Sequence, residues 1–359
     1  MKKEVEIEKK RVTLRDVAVA AGVSVATASI VLNGISSENQ ATQTRRRVSE
    51  KTEQKVREVA RQLHYLPDIN AQTLKGRSSS TIGLIIPDLS NHFYPELAKG
   101  IARRATQLGY NVMLFDSDEN YKNEIASIDT LRAAKVAGII VSGVYEQEQG
   151  EYELLKSIQA DKLPIVQVDR YASIGNIPYV GIDNYRAAYE MVEHLAELGH
   201  KKIGFIGMEQ SLHTLNERKR GYRHAMKDLG LEIDENIMFF VDDTSHDNAV
   251  KVVDEFMKYI GEVSALFVAR SDVFAIECMQ EFLKRGVKIP EELSLTGFDG
   301  IYMGDYMTPK LSTVYQPKFA MGEAAVDMLC SIIGGRQAHQ NSIILNYEVL
   351  MKDSVKKMG

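Results

Sequence analysis

Five residues return at one fixed offset in this chain. Ile82, Gly83, Gly100, Leu108 and Gly109 reappear as Ile203, Gly204, Gly221, Leu229 and Gly230, each 121 positions later and without a gap. Around the first copy run TIGLIIP, PELAKGIARRATQLG, YNVMLF, NEIASIDTLRAAKV and AGIIVSG, short apolar runs alternating with amphipathic stretches. That rhythm is βαβαβ, which calls for parallel strands covered by helices on both faces. A duplicated unit of this kind predicts two α/β lobes, each built on its own parallel sheet. The later strands repeat more loosely: VAGIIVSG at 136–143 answers to VSALFVARSD at 263–272, and PIVQVDR at 164–170 to LSLTGFDG at 293–300.

Each of these strands ends in polar residues, among them Asp88, Ser117, Arg170, Ser271, Asp272 and Asp299. Ligands of open parallel sheets bind beyond the carboxyl ends of the strands, so two such units face to face would line a cleft with these side chains. A strand-end Asp or Ser can equally cap the helix that follows, and for any one of them both roles stay open.

The formal net charge of −5 hides an asymmetry. Residues 1–77 hold 15 Lys and Arg against 9 Asp and Glu, while the rest of the chain holds 29 against 40. A basic head on an acidic body suggests a polyanionic partner for the head alone. The two cysteines, Cys278 and Cys330, lie in apolar helical patterns without a CxxC or a nearby His. Buried, inert thiols are therefore expected rather than a disulfide or a zinc site. Apolar runs such as GLIIP and AGIIVSGV fall far short of the roughly 20 residues of a membrane span. The opening MKKEVEIEKKRV mixes both charge signs and has no apolar core, unlike a secretory signal. A cytoplasmic protein without a membrane partner is the expectation.

Residues 12–34 read VTLRDVAVAAGVSVATASIVLNG. Thr13 can cap a helix from Leu14 whose inner face is Val17, Ala20 and Ala21. Gly22 allows a tight turn, Val23 packs inward, and Ser24 caps a second helix to about Leu32. A small residue, Gly and a hydrophobic residue between two short helices form a helix-turn-helix signature. The second helix is bare: Val25, Ala26, Ala28 and Ile30 stand where a DNA reader would carry Arg, Gln or Asn. Further on, DINAQTLKGRSSS joins head to body. Asp68 can cap a helix of about two turns through Leu74, too short to be stable alone in water, so something else must order it.

Taken together, TLRDVAVAAGVSVATASIVLNG, VSEKTEQKVREVARQLHYLPDINAQTLKG, IGLIIPDLSNHFYPELAKGI and the GFDG and VYQP runs resemble the LacI/GalR family of bacterial transcription regulators, over about residues 12–350. The resemblance implies an all-α helix-turn-helix head joined by a hinge helix to an α/β, two-lobed, periplasmic-binding-protein-like body of two doubly wound parallel sheets. The expected divisions are an N-terminal extension (1–11), a DNA-binding domain (12–67) with an insertion near 34–47, a hinge and linker (68–79), and an effector-binding and dimerisation domain (80–355). Its N-lobe would take about 80–182 and 317–345, its C-lobe about 183–316 and 346–355. It further implies a homodimer on a palindromic operator duplex, with hinge helices paired in the minor groove and Leu74 wedged between base steps.

The DNA-binding residues expected on this basis are Thr13, Leu14, Ser24, Val25, Ala26, Thr27, Ser29, Asn33, Ala71, Leu74 and Lys75. Ile30 replaces the Arg usual in the family, so bidentate base contacts are ruled out from the bare helix. Thymine methyls would be met by Val25 and Ala26, and bases or phosphates by the hydroxyls of Ser24, Thr27 and Ser29. Selectivity would then lean more on deformation of the operator centre. About ten residues more than the family pattern, ending in Arg45, Arg46 and Arg47, either grip phosphates or form a solvated loop.

In the body, Asp88, Asn91, Phe93, Tyr94, Ser142, Arg170, Thr214, Arg218, Ser271, Asp272 and Asp299 are the expected effector contacts. Arg218, Thr214 and Asp299 fall on positions where the family touches its ligand. Phe93 and Tyr94 could stack on a sugar face or serve as plain core. Arg170 and Arg270 add cations that would suit a phosphate or carboxylate, unless Asp169, Asp272 and Asp299 pair with them. A neutral sugar is the first expectation and a sugar phosphate the second. The expected function is repression of carbohydrate-utilisation genes, the alternatives being an activator or dual regulator or a purine- or nucleoside-responsive repressor. No GxGxxG follows the first strand, no GxxxxGK occurs, and the eight histidines are scattered. Neither an enzyme, a cofactor nor a metal is expected. The effector's identity, and whether it releases or promotes DNA binding, stay open.

Overall fold

The computed structural model describes residues 12–33, 48–65, 79–144, 158, 161–171, 177–208, 213–241, 243, 245–335 and 342–358, with Asn33 described in its backbone alone. The chain forms two compact units, Met1–Ser78 and Ser79–Gly359. The insertion near 34–47 with Arg45, Arg46 and Arg47, the hinge with Ala71, Leu74 and Lys75, and the extension 1–11 lie outside the described residues.

In the first unit, helices α1 (Leu14–Ala21), α2 (Val25–Asn33) and α3 (Glu50–Gln62) enclose a small core. Thr13 opens α1 through a capping box: its hydroxyl accepts from the Asp16 N–H, and the Asp16 carboxylate accepts from the Thr13 N–H. Gly22 ends α1 at φ +68°, a left-handed conformation open to glycine without a Cβ clash. The chain then bends by 107°, within the range for a helix-turn-helix. The Ser24 hydroxyl accepts from the Thr27 N–H at 3.0 Å and so starts α2. Val17, Ala18 and Ala21 of α1 pack on Ala28 and Val31 of α2 and on Val56 and Ala60 of α3. Two expectations need correcting. Ala20 is exposed and Ala18 takes its place inside, because the face of α1 that meets both neighbours follows i, i+1, i+4. Ala28 is fully buried and is small so that α2 can approach α1 and α3 closely; it is not a bare reading position.

The second unit carries two six-stranded sheets. The first comprises β1 (Thr81–Ile86), β2 (Asn111–Asp116), β3 (Ile139–Val141), β4 (Ile165–Val168), β5 (Tyr179–Ile182) and β11 (Ser342–Leu345), in the order β11-β5-β4-β3-β1-β2. The second comprises β6 (Ile203–Met208), β7 (Met238–Val241), β8 (Ala265–Val268), β9 (Ser294–Asp299), β10 (Ser312–Tyr315) and β12 (Glu348–Leu350), in the order β12-β10-β9-β8-β6-β7. The first five strands of each sheet run in the same spatial order, as the repeat requires. All pairs are parallel except β10 with β12, so the expectation of purely parallel sheets holds up to one edge strand. There the chain enters from the neighbouring β11 after a two-residue step and has no crossover helix to reverse it. The chain passes between the sheets three times, after β5, β10 and β11.

Helices α4 (Phe93–Gln107), α5 (Tyr121–Ala133) and α10 (Lys318–Ile333) cover the first sheet, and α6 (Asn184–Glu197), α7 (His213–Asp228), α8 (His246–Phe256) and α9 (Asp272–Lys284) the second. Along β1, Ile82, Leu84 and Ile86 face one apolar layer and Ile85 the other, the period of two expected of a strand buried on both faces. The repeated glycines explain themselves here. A Cβ on Gly100 of α4 would strike the Phe319 carbonyl of α10, and one on Gly221 of α7 would strike the Tyr185 carbonyl of α6. Each lobe thus presses its first helix against the helix that begins just after a crossing. Cys278 is buried as expected, whereas Cys330 is only half-buried, since it sits at the flank of α10 and not on its packed face.

Candidate functional site

The ends of corresponding strands in the two sheets converge on a narrow, nearly closed cleft of about 20 Å3, far below the roughly 300–1,000 Å3 of an open ligand pocket. From the first lobe come Asn91, Phe93, Tyr94, Asp169 and Arg170; from the second Thr214, Leu215, Arg218, Arg270, Ser271 and Asp299. Eight of the eleven residues expected from sequence therefore share one cleft.

Asn91 accepts from the Phe93 N–H at 3.0 Å and so shapes the entry to α4. Phe93 and Tyr94 are both 2% exposed, edge to face at 5.1 Å. They are core and cleft wall at once. The Tyr94 hydroxyl donates to Asp169 at 3.2 Å. Thr214 and Arg218 project from α7, one turn apart. Arg218 donates from Nε to Asn184 at 2.8 Å and from Nη1 to the Ala269 carbonyl at 3.0 Å, with Asp299 at 3.9 Å. Its guanidinium also lies 3.6 Å from the centre of the Phe298 ring, so packing fixes its plane as well as its position.

Asp169 and Asp299 occupy matching places in the loose repeat, and both have positive φ, +63° and +129°. Such backbone is uncommon outside glycine and concentrates at binding sites. Burial pushes both carboxyls up, Asp299 to about 7, despite the nearby arginines. Gln316, at the second crossing, donates to Asp299 at 3.0 Å. Lys318, fully buried at the start of α10, donates to the carbonyls of Asp299 and Gly300 at 2.9 Å. The crossing segment therefore holds the strand end that presents Asp299.

Three expected contacts are not on the cleft wall. Asp88 accepts from the N–H and hydroxyl of Ser90 at 2.7 and 2.6 Å, closing a local turn. Ser142, directly after β3, is fully buried. Asp272 accepts from the Thr313 hydroxyl at 2.6 Å and the Ile301 N–H at 2.9 Å, tying α9 to the turn after β9. Its neighbour Ser271 lines the cleft and caps α9, accepting from the Phe274 N–H at 3.3 Å. Of the pairings the sequence allowed between Asp169, Asp272 and Asp299 and the cleft arginines, Asp299 with Arg218 is present at 3.9 Å. Arg170 is also met by a carboxylate outside that set, Glu119 on the loop after β2, with both oxygens at 2.7 Å. Burial raises the Glu119 carboxyl, yet Arg170 more than compensates and holds it low.

In the first unit, Ser24, Val25, Ala26 and Ile30 form an exposed edge of α2, with Thr27 and Ser29 half-buried beside it. Val25 is 46% exposed and Ile30 39%. Thr13 is exposed and Leu14 half-buried at the start of α1.

A helix-turn-helix unit and a two-lobed body with a polar cleft define a DNA-binding regulator with a solute-binding domain. Comparison with known proteins gives the same division. Residues 13–68 match the family of bacterial regulatory proteins of the lacI type, and residues 79–352 match the periplasmic binding proteins and sugar binding domain of the LacI family. The chain belongs to the LacI family of transcriptional regulators. It is 32% identical to the HTH-type transcriptional regulator DegA of Bacillus subtilis over 97% of this chain and 99% of that one. It is also 32% identical to catabolite control protein A of Priestia megaterium over 96% and 99%. Among solved structures, the lac repressor dimer bound to operator and the anti-inducer ONPF is 25% identical, with a TM-score of 0.81 over 97% of this chain and 100% of that one. Among the described residues, no single helix is long and apolar enough to cross a membrane.

Proposed function

We propose that this regulator binds a palindromic operator as a homodimer, represses carbohydrate-utilisation genes, and is released from or locked onto DNA by a small solute held in the cleft. The observation that carries the reading is the convergence of Arg218 and Asp299 of one lobe with Tyr94, Asp169 and Arg170 of the other around one small polar cleft. A ligand touching both walls favours one inter-lobe angle over another, and that difference in affinity is what an allosteric protein needs. Thr13, Leu14, Ser24, Val25, Ala26, Thr27, Ser29 and Asn33 are the proposed DNA contacts in the described head. Arg45, Arg46, Arg47, Ala71, Leu74 and Lys75 join them on sequence grounds alone. The protein acts by binding and not by catalysis, in the compartment that holds its DNA; support for both comes from the regulators it is related to.

The test begins with an operator selected from a random duplex pool and measures its affinity by fluorescence anisotropy with and without candidate sugars. Affinity for a palindrome that changes with one solute supports the proposal. In Arg218→Ala the same solute should leave operator affinity within about twofold, since a charged hydrogen-bonding group is lost from the cleft. A full response in that variant contradicts the assignment.

A further inference from the structure

Arg270 follows β8 and stands beside Ser271, the cap of α9, on the cleft wall. Its side chain is 5% exposed, and its Nε has no acceptor among the described residues. The only described carboxylate within 4.0 Å is Glu119, and both oxygens of that group already accept from Arg170 at 2.7 Å. A guanidinium does not shed its charge at any ordinary pH, so Arg270 is a buried cation whose Nε is unpaired among the described residues and whose balancing charges, Glu119, Asp299 and Asp243, stand at 4.0 Å or beyond. Buried charges are stable only when paired and hydrogen-bonded.

We propose that the cleft takes a sugar bearing an anionic group, a phosphate or a carboxylate, seated against Arg270 and Arg170, with its hydroxyls towards Arg218 and Asp299. This rests on the reading of the cleft as the effector site. A neutral hydroxyl could accept from Nε, but it would leave the buried cation without a close counter-charge. A phosphate or carboxylate offers two acceptor oxygens in the plane of the guanidinium fork and cancels the charge. The facing carboxylates do not oppose this arrangement. Glu119 is spent on Arg170, Asp169 is held by the Tyr94 hydroxyl at 3.2 Å, and Asp299 lies on the side of Arg218 at 3.9 Å.

The test uses the full chain and thermal melting in roughly 20 mM inorganic phosphate against potassium chloride of matched ionic strength, so that general salt effects cancel. Wild type should gain about 3 °C in phosphate, a rise typical of a ligand well above its dissociation constant. Arg270→Gln should gain nothing, and Arg270→Lys should keep part of the effect. The midpoints in chloride report whether each variant is folded. Equal gains in wild type and Arg270→Gln, or none in wild type, overturn the proposal. Parallel titrations with glucose 6-phosphate, gluconate and glucose separate a phosphate from a carboxylate ligand. Should glucose alone protect, the anion assignment falls while the cleft remains an effector site; selection of an operator tests the underlying reading separately.

Discussion

The imidazole of His92 meets the ring of Tyr302 edge-on at 5.6 Å, and His213, 121 positions after His92, meets the ring of Tyr171 at 4.4 Å. His92 and Tyr171 belong to the first lobe, His213 and Tyr302 to the second, so the internal repeat places one His–Tyr contact across the cleft in each direction. Neither contact survives if the lobes separate. Aromatic pairs contribute about 0.5–1.5 kcal/mol beyond area burial. His92→Ala and His213→Ala should therefore each weaken effector binding about 2–10-fold. The two share no partner and should combine additively. Isothermal titration of the singles and the double decides this, and unaltered affinity in the double variant would show that the contacts play no part in closure.

Asp299 joins a cleft-lining carboxylate to a backbone at φ +129°, so the proposed binding role and stability pull in opposite directions at one residue. Asp299→Gly and Asp299→Ala both delete the carboxylate and its bond from Gln316. Only glycine relaxes the backbone. The glycine variant should be about 1–3 kcal/mol more stable than the alanine variant, while both lose effector binding. Chemical denaturation of the pair isolates the backbone contribution; equal stabilities would mean that the strand end relaxes in alanine and stores no strain.

A pH effect is built into the first lobe by Glu124 of α5, which is 3% exposed and accepts from the Val144 N–H at 2.6 Å. Burial pushes its carboxyl up from 4.5 to about 7. Below about pH 4.5 the group is protonated in both states. Between 4.5 and 7 the folded chain keeps a proton that the unfolded chain has released, so stability falls as pH rises and levels off above 7. The loss is on the order of 3 kcal/mol. Glu124→Gln stays neutral and can still accept from Val144. Melting at pH 5 and pH 8 should show the variant gaining on wild type at the higher pH; parallel behaviour at both would rule out the buried proton.

The sequence showed the fold because the cause was local: a repeat of glycines and apolar runs dictates two sheets whatever surrounds them. Phe93, Tyr94, Thr214, Arg218 and Asp299 reach the cleft because strand ends and first helix turns point there in any such sheet. What was not legible depended on loops. Glu119 answers Arg170 from a turn that carries no periodic signal, and Asp272 turns away from the cleft because Thr313, 41 positions on, supplies a donor. Ala20 and Ala28 were misplaced for another reason. On helices of eight and nine residues, small side chains fit either face, and only contact with α3 decides between them.

The exposed edge of α2 presents the methyl groups of Val25, 46% exposed, and Ala26 beside the small hydroxyls of Ser24, Thr27 and Ser29, and no long hydrogen-bonding side chain. Apolar atoms at a major groove can tell thymine from the other bases only by its C5 methyl. An operator in which uracil replaces thymine keeps every hydrogen-bonding edge and removes that methyl alone. Wild type should bind the uracil duplex more weakly by about 1–3 kcal/mol at the contacted positions, roughly 5–150-fold. Val25→Ala should bind thymine and uracil duplexes with a smaller ratio, because its shorter side chain no longer reaches the methyl. Adding salt should weaken both duplexes equally, since phosphate contacts are common to them. A wild-type protein indifferent to the substitution would place base reading somewhere other than this edge, and the bare helix would then serve only to position the head on the backbone.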